Sequence, residues 1–181
     1  MTDTLSAPLY PLLRHLRGLT TPGREPRAIA AAVAEHLRAA AVSAEPRSWL
    51  PSVPTPAIGA SGLQRDILHA EPAFSVQVVT WAPGEQSPIH DHIAWCVVAV
   101  LTGTLVETRY REDGDGLTPL DRVRCAAGSV EGFAPPGDIH RVSNRTAELA
   151  MSLHIYGADL HGGLTSVRRV YDQLSPVPAS R

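Results

Sequence analysis

The sequence predicts a mainly β domain, a sandwich or barrel of short strands preceded by two helices. Three observations lead there. Apolar residues recur at helical spacing near the start, the period falls to two from Phe74 onward, and short apolar runs then alternate with turn residues along most of the remaining chain. Many short strands at such intervals close into a sandwich or barrel, because each strand must bury one face against another sheet.

The elements follow in order. Leu9, Leu12, Leu13 and Leu16 form one stripe of a helix over Leu9–Leu19. Residues 25–42 are rich in Ala and Leu, both strong helix formers, with Pro26 in the first turn, where its missing N–H costs nothing. Residues 46–62 are rich in Pro, Gly and Ser and read as an extended connector. Alternation over 74–80 marks a strand, residues 95–101 another, and Thr102-Gly103 turns the chain into a return strand over 105–110. A charged, Gly-containing loop is expected at 111–116, with further strands at 120–124, 129–133, 140–144, 149–156 and 167–171. The expected organisation is a helical segment (1–45) packed on a β domain (46–175), with a tail (176–181).

Composition narrows the function. A chain of 181 residues with 44% hydrophobic content can bury a substantial core. The formal net charge of -2 argues against a nucleic-acid or anionic-membrane surface. No apolar run is long enough for a transmembrane helix, and the opening Met1-Thr2-Asp3-Thr4 lacks a signal segment, so a cytoplasmic location is expected. All 16 basic residues are Arg, a bias expected of GC-rich, bacterial coding. Cys96 and Cys125 read as reduced, buried small hydrophobes. Oligomeric state is left open.

The chemistry lies in three of the eight histidines. His90 and His92 are two apart, so an extended strand turns both imidazoles to one face. His140 follows on a later strand. Neutral imidazole is a common ligand for first-row metals. The stretch from Gly84 through His90-Asp91-His92 and Cys96 to Gly103 resembles the first cupin motif, and Pro135-x-Gly137-x-x-His140-x-x-x-Asn144 resembles the second. The expected fold is therefore a cupin, a jelly-roll barrel or sandwich with N-terminal helices. Where the first motif usually carries Glu, this chain has Cys96. Three neutral ligands leave a divalent ion its full charge, which favours an anionic substrate ligand such as a thiolate, and they leave coordination positions open. Cys96 as a fourth ligand of a closed zinc site is the alternative.

Four stretches resemble the cysteine dioxygenase family over about residues 63–156: Gln64-Arg65-Asp66-Ile67, Trp81 through His92, Cys96 through Gly103 with Glu107, and His140 through Asn144 with Ser152-x-His154-x-Tyr156. The resemblance implies Fe(II) held by His90, His92 and His140. It implies a relay of Ser152, His154 and Tyr156, Arg65 on the substrate carboxylate with Trp81 and Leu63 as further substrate contacts, and a Cys96–Tyr156 thioether as in some members. The implied activity is oxidation of a small thiol carboxylate, L-cysteine first, to its sulfinate with O2. Departures point to a second substrate, 3-mercaptopropionate. Trp95 precedes Cys96, Gly157-Ala158-Asp159 follows Tyr156, Leu63 stands where Tyr is common, and Gln64 adjoins Arg65. Rivals are a non-catalytic metal- or ligand-binding cupin and a zinc or nickel cupin isomerase. The remaining histidines, His15, His36, His69 and His161, carry no motif.

Overall fold

The structure is a computed structural model that describes residues 9–43, 62–114 and 116–171. The expected tail and nearly all of the expected connector lie outside the described residues. Helix α1 (Leu9–Leu19) lies where the Leu spacing puts it, and α2 spans Pro26–Ser43. Ten strands follow: β1 (Leu63–Glu71), β2 (Phe74–Trp81), β3 (His90–His92), β4 (Cys96–Thr102), β5 (Thr104–Asp113), β6 (Gly116–Ala126), β7 (Val130–Phe133), β8 (His140–Ser143), β9 (Ala150–Tyr156) and β10 (Val167–Val170). They form two five-stranded antiparallel sheets, ordered β1-β2-β9-β4-β7 and β10-β3-β8-β5-β6. This is the cupin β-sandwich with N-terminal helices. No described helix is long and apolar enough to cross a membrane.

The first sheet is covered on both faces, which explains why every residue of β2 is buried. Phe74, Val76 and Val78 of β2, Val97, Ala99 and Leu101 of β4, and Leu153 and Ile155 of β9 share one core with Leu13, Leu16, Val33 and Leu37 of the helices. The alternate residues Gln77, Val79, Trp81, Cys96, His154 and Tyr156 line a cavity on the other face. Close helix approach fixes Gly132 on β7: a Cβ there would lie 2.9 Å from the Ala30 carbonyl oxygen. Arg38 strengthens the docking by donating to the Val130 carbonyl at 2.7 Å. At the β4–β5 turn, Gly103 has a φ of 73°, and a Cβ there would lie 2.9 Å from Ala150, so only glycine fits.

Two local expectations are corrected. The loop expected over 111–116 is mostly strand, since Arg111 pairs with Thr118, Glu112 with Leu117 and Asp113 with Gly116. The ladder is made by backbone groups, which charged side chains leave intact on an outer hairpin. The sequence reading also gave no strand to 63–71, where the structure has β1 paired along β2. No residue of β1 is fully buried, so its apolar signal is weak.

Candidate metal centre

Strands β3 and β8 pair at one point, His90 opposite His140, and this brings histidines far apart in the chain into contact. His92 joins them through the two-residue pleat. One ring nitrogen from each of His90, His92 and His140 lies within 4.8 Å of the others, and the rings are buried. Among the described residues no carboxylate and no cysteine joins this group. Cys96 lines the same cavity but stands outside the cluster, and burial pushes its thiol well above its ordinary value.

Each ring is oriented by a partner on Nδ1. His90 Nδ1 donates to the Pro88 carbonyl at 2.9 Å, His92 Nδ1 to Asp138 at 3.0 Å, and His140 Nδ1 to Glu107 at 2.8 Å. All three acceptors require a proton on Nδ1, so each Nε2 keeps its lone pair for the shared point. Burial and the neighbouring His140 and His92 rings hold His90 neutral, with its pKa lowered to about 3. Burial likewise lowers His92. Burial is the largest influence on Glu107 and Asp138 and opposes their ionisation. The hydrogen bonds and charges of His140 and Arg109 at Glu107, and the His92 charge and hydrogen bonds at Asp138, together outweigh it, and both carboxyls end below their ordinary values. Arg109 adds a second bond to Glu107 at 2.9 Å. Neutral, convergent Nε2 atoms with anionic outer partners fit a divalent cation with open coordination positions.

The adjoining wall is β9. Its inward residues Ser152, His154 and Tyr156 are linked in series: Ser152 Oγ lies 2.8 Å from His154 Nε2, and His154 Nδ1 lies 2.9 Å from the Tyr156 hydroxyl. The Trp81 indole N–H donates to Ser152 Oγ at 2.9 Å. Gln77 Nε2 reaches the Tyr156 oxygen at 3.4 Å. Burial lowers His154 to about 3 and raises the Tyr156 phenol far above its ordinary value. Cys96 sits directly opposite Tyr156 across the β4–β9 pair.

The three histidines, Gln77, Trp81, Cys96, His154 and Tyr156 border one cavity of about 310 Å³, lined as well by Leu63, Arg65, Ser87, Leu160 and residues 163–167, with Ser152 buried behind it. Leu63 and Arg65 reach it together because they are two apart on β1. The positive charge of Arg65 acts on both His154 and Tyr156. The roof is held by Asp91, whose side chain turns away from the cluster. It accepts from the Arg168 guanidinium, from the Arg169 backbone N–H at 3.0 Å and from the Tyr171 hydroxyl at 2.8 Å, tying β10 to β3.

The family model for cysteine dioxygenase type I matches residues 60–164, more than half of the chain. The chain belongs to the cysteine dioxygenase type I family. Every site residue expected from the sequence lies inside the matched span, while the helices and β10 lie outside it. Membership makes the protein a thiol-dioxygenase type of oxidoreductase, from a metal-dependent family, acting on a small molecule with O2. Among solved structures the chain is similar to the TT1209 protein of Thermus thermophilus, at 22% identity over 53% of this chain and 83% of that one, TM-score 0.43. It is similar also to a cupin superfamily protein from Desulfitobacterium hafniense, at 16% identity over 61% and 94%, TM-score 0.45.

Sequence reasoning gave no role to Asp138, Gln77, Ser166 or Asp91, and noted Glu107 only within the resemblance. Asp138 carried a signal, lying inside the second cupin motif two residues before His140. Gln77 also did, as a polar residue interrupting an apolar strand. For Ser166, which hydrogen-bonds Tyr156, no local pattern pointed to the site.

Proposed function

We propose that this protein is an Fe(II)-dependent thiol dioxygenase that oxidises a small thiol carboxylate, L-cysteine in the first place, to its sulfinate. One observation carries the reading: a cluster of three histidines without a carboxylate shares its cavity with the Ser152–His154–Tyr156 row. A module that only binds a metal or ligand has no use for such a row, which speaks against the non-catalytic alternative.

His90, His92 and His140 would hold the iron through Nε2. When bound, Fe(II) supplies the redox chemistry with O2 and the positive charge that favours a substrate thiolate. Arg65 binds the substrate carboxylate through its forked donors and sets the distance from carboxylate to sulfur. Trp81 and Leu63 bound the apolar part of the substrate. Tyr156, oriented by His154 and Ser152, holds a phenolic proton at the reacting end. The buried walls exclude water and position the thiol. Both atoms of one O2 end on one sulfur, which gives up four electrons, so no further reductant takes part. A Cys96–Tyr156 thioether, supported by the facing register, would fix the phenol ring.

One observation favours 3-mercaptopropionate as a second reading: no Asp or Glu is among the described residues lining the cavity. The ammonium of cysteine would meet no counter-charge from them, whereas a mercapto acid without an amine needs only Arg65. Oxygen uptake by the Fe(II)-loaded protein with L-cysteine, 3-mercaptopropionate and cysteamine tests both. Uptake with the carboxylates and little with cysteamine is expected, with sulfinate as product. Absence of uptake with every small thiol overturns the proposal.

A further inference from the structure

The relay reaches one residue further than the row on β9. Trp81 lies on β2 beside it, 2% exposed, with its indole N–H 2.9 Å from Ser152 Oγ. Indole nitrogen is a donor only, a hydroxyl has a single hydrogen, and a neutral imidazole donates at one nitrogen and accepts at the other. These rules fix the direction of the whole series. With Trp81 donating into it, the Ser152 oxygen directs its own hydrogen to its other described partner, His154 Nε2, at 2.8 Å. Nε2 is then the acceptor, the ring proton sits on Nδ1, and Nδ1–H donates to the Tyr156 oxygen at 2.9 Å. Gln77 Nε2 also donates toward that oxygen, at 3.4 Å. The phenol therefore turns its own proton to its cavity side, where its other partners, Ser166 and Cys96, line the wall. The reverse polarity would leave the Ser152 hydrogen without an acceptor in a fully buried place, at a cost of about 1–3 kcal/mol.

We infer that Trp81 is a positioning residue: its indole N–H locks the Ser152 hydroxyl, selects the Nδ1–H tautomer of His154, and thereby makes Tyr156 a proton donor toward the cavity. A neutral His154 at ordinary pH agrees with this, since burial lowers its pKa to about 3. Each bond in such a series polarises the next, so a change at Trp81 is felt at Tyr156 although the two do not touch. This deepens the dioxygenase reading, on which the role of the Tyr156 proton rests. The tautomer itself does not rest on it.

Long-range 1H–15N correlation spectra of the full-length protein, with Zn(II) added as a diamagnetic substitute for iron, report which nitrogen of His154 carries the proton. The expected wild-type pattern is Nδ1–H. Trp81→Phe keeps the ring and removes the donor, and should bring in the Nε2–H form. Ser152→Ala should do the same by another route, and the double variant should add nothing, because both act through one hydroxyl. In the Fe(II)-loaded enzyme Trp81→Phe should lower kcat about tenfold, and Ser152→Ala, at a residue that does not line the cavity, should lower it as much with KM nearly unchanged, the signature of a lost transition-state interaction. An Nε2–H tautomer in the wild type, or a pure Nδ1–H pattern retained in Trp81→Phe, overturns the inference. If the tautomer follows Trp81 while no thiol supports oxygen uptake, the dioxygenase reading fails and the polarity of the relay stands.

Discussion

Removing the charge on Glu107 is the most direct way to probe the metal centre without touching a ligand. Glu107 is 6% exposed and receives His140 Nδ1 at 2.8 Å, so the bond is both buried and charge-assisted. A cation on Nε2 draws electron density from the ring and makes Nδ1–H a better donor, which couples this bond to metal binding. A charged hydrogen bond contributes about 1.5–3 kcal/mol and a neutral one about 0.5–1.5 kcal/mol. Glu107→Gln keeps an acceptor and loses the charge, so the difference between the midpoints, about 1.25 kcal/mol, weakens metal binding roughly eightfold. Glu107→Ala leaves Nδ1–H buried with no partner and should approach the hundredfold end of the range for such outer partners, about 10–100-fold. Anaerobic Fe(II) titration against a competing chelator measures both, with circular dichroism to check the fold. Wild-type affinity in both variants would refute the view that Glu107 aims His140 at the metal.

Three further outcomes are expected. Acid should destabilise the fold through His154: its folded pKa is lowered to about 3 from an ordinary 6.5, so the unfolded chain takes the proton first, and stability present above pH 6.5 is lost as pH falls toward 3. Between pH 7 and 5 this amounts to about 2 kcal/mol, so urea unfolding of the metal-free protein should show a steeper loss than in His154→Gln, and equal slopes would discard it. Arg65→Ala should raise KM for a thiol carboxylate at least tenfold while changing kcat little, in oxygen-uptake assays; unchanged kinetics would move Arg65 out of the site. Asp91→Asn should weaken three contacts at once, two to β10 and one to Tyr171 just after it. Faster amide exchange confined to 163–171 is expected, and unchanged protection there would mean that Asp91 does not hold the roof.

The sequence by itself determined the pieces whose signals are local. Leucine spacing placed α1, alternation placed β2 and β9, and the pleat alone put His90 with His92 and Ser152 with His154 and Tyr156. The cupin spacing and the missing Glu at Cys96 pointed to a three-histidine centre, since a ligand motif is a property of neighbouring residues. Only the tertiary structure decided what meets across strands. Glu107 comes to His140 from β5, Asp138 to His92 from the loop before β8, and Trp81 to Ser152 from β2. Such meetings depend on register, which backbone ladders set over the whole sheet and no short window of residues encodes. The placing of residues 163–167 along the cavity belongs to the same kind, because a buried Asp91 on β3 holds the adjoining β10 by position in space, and nothing in residues 167–170 alone marks that contact.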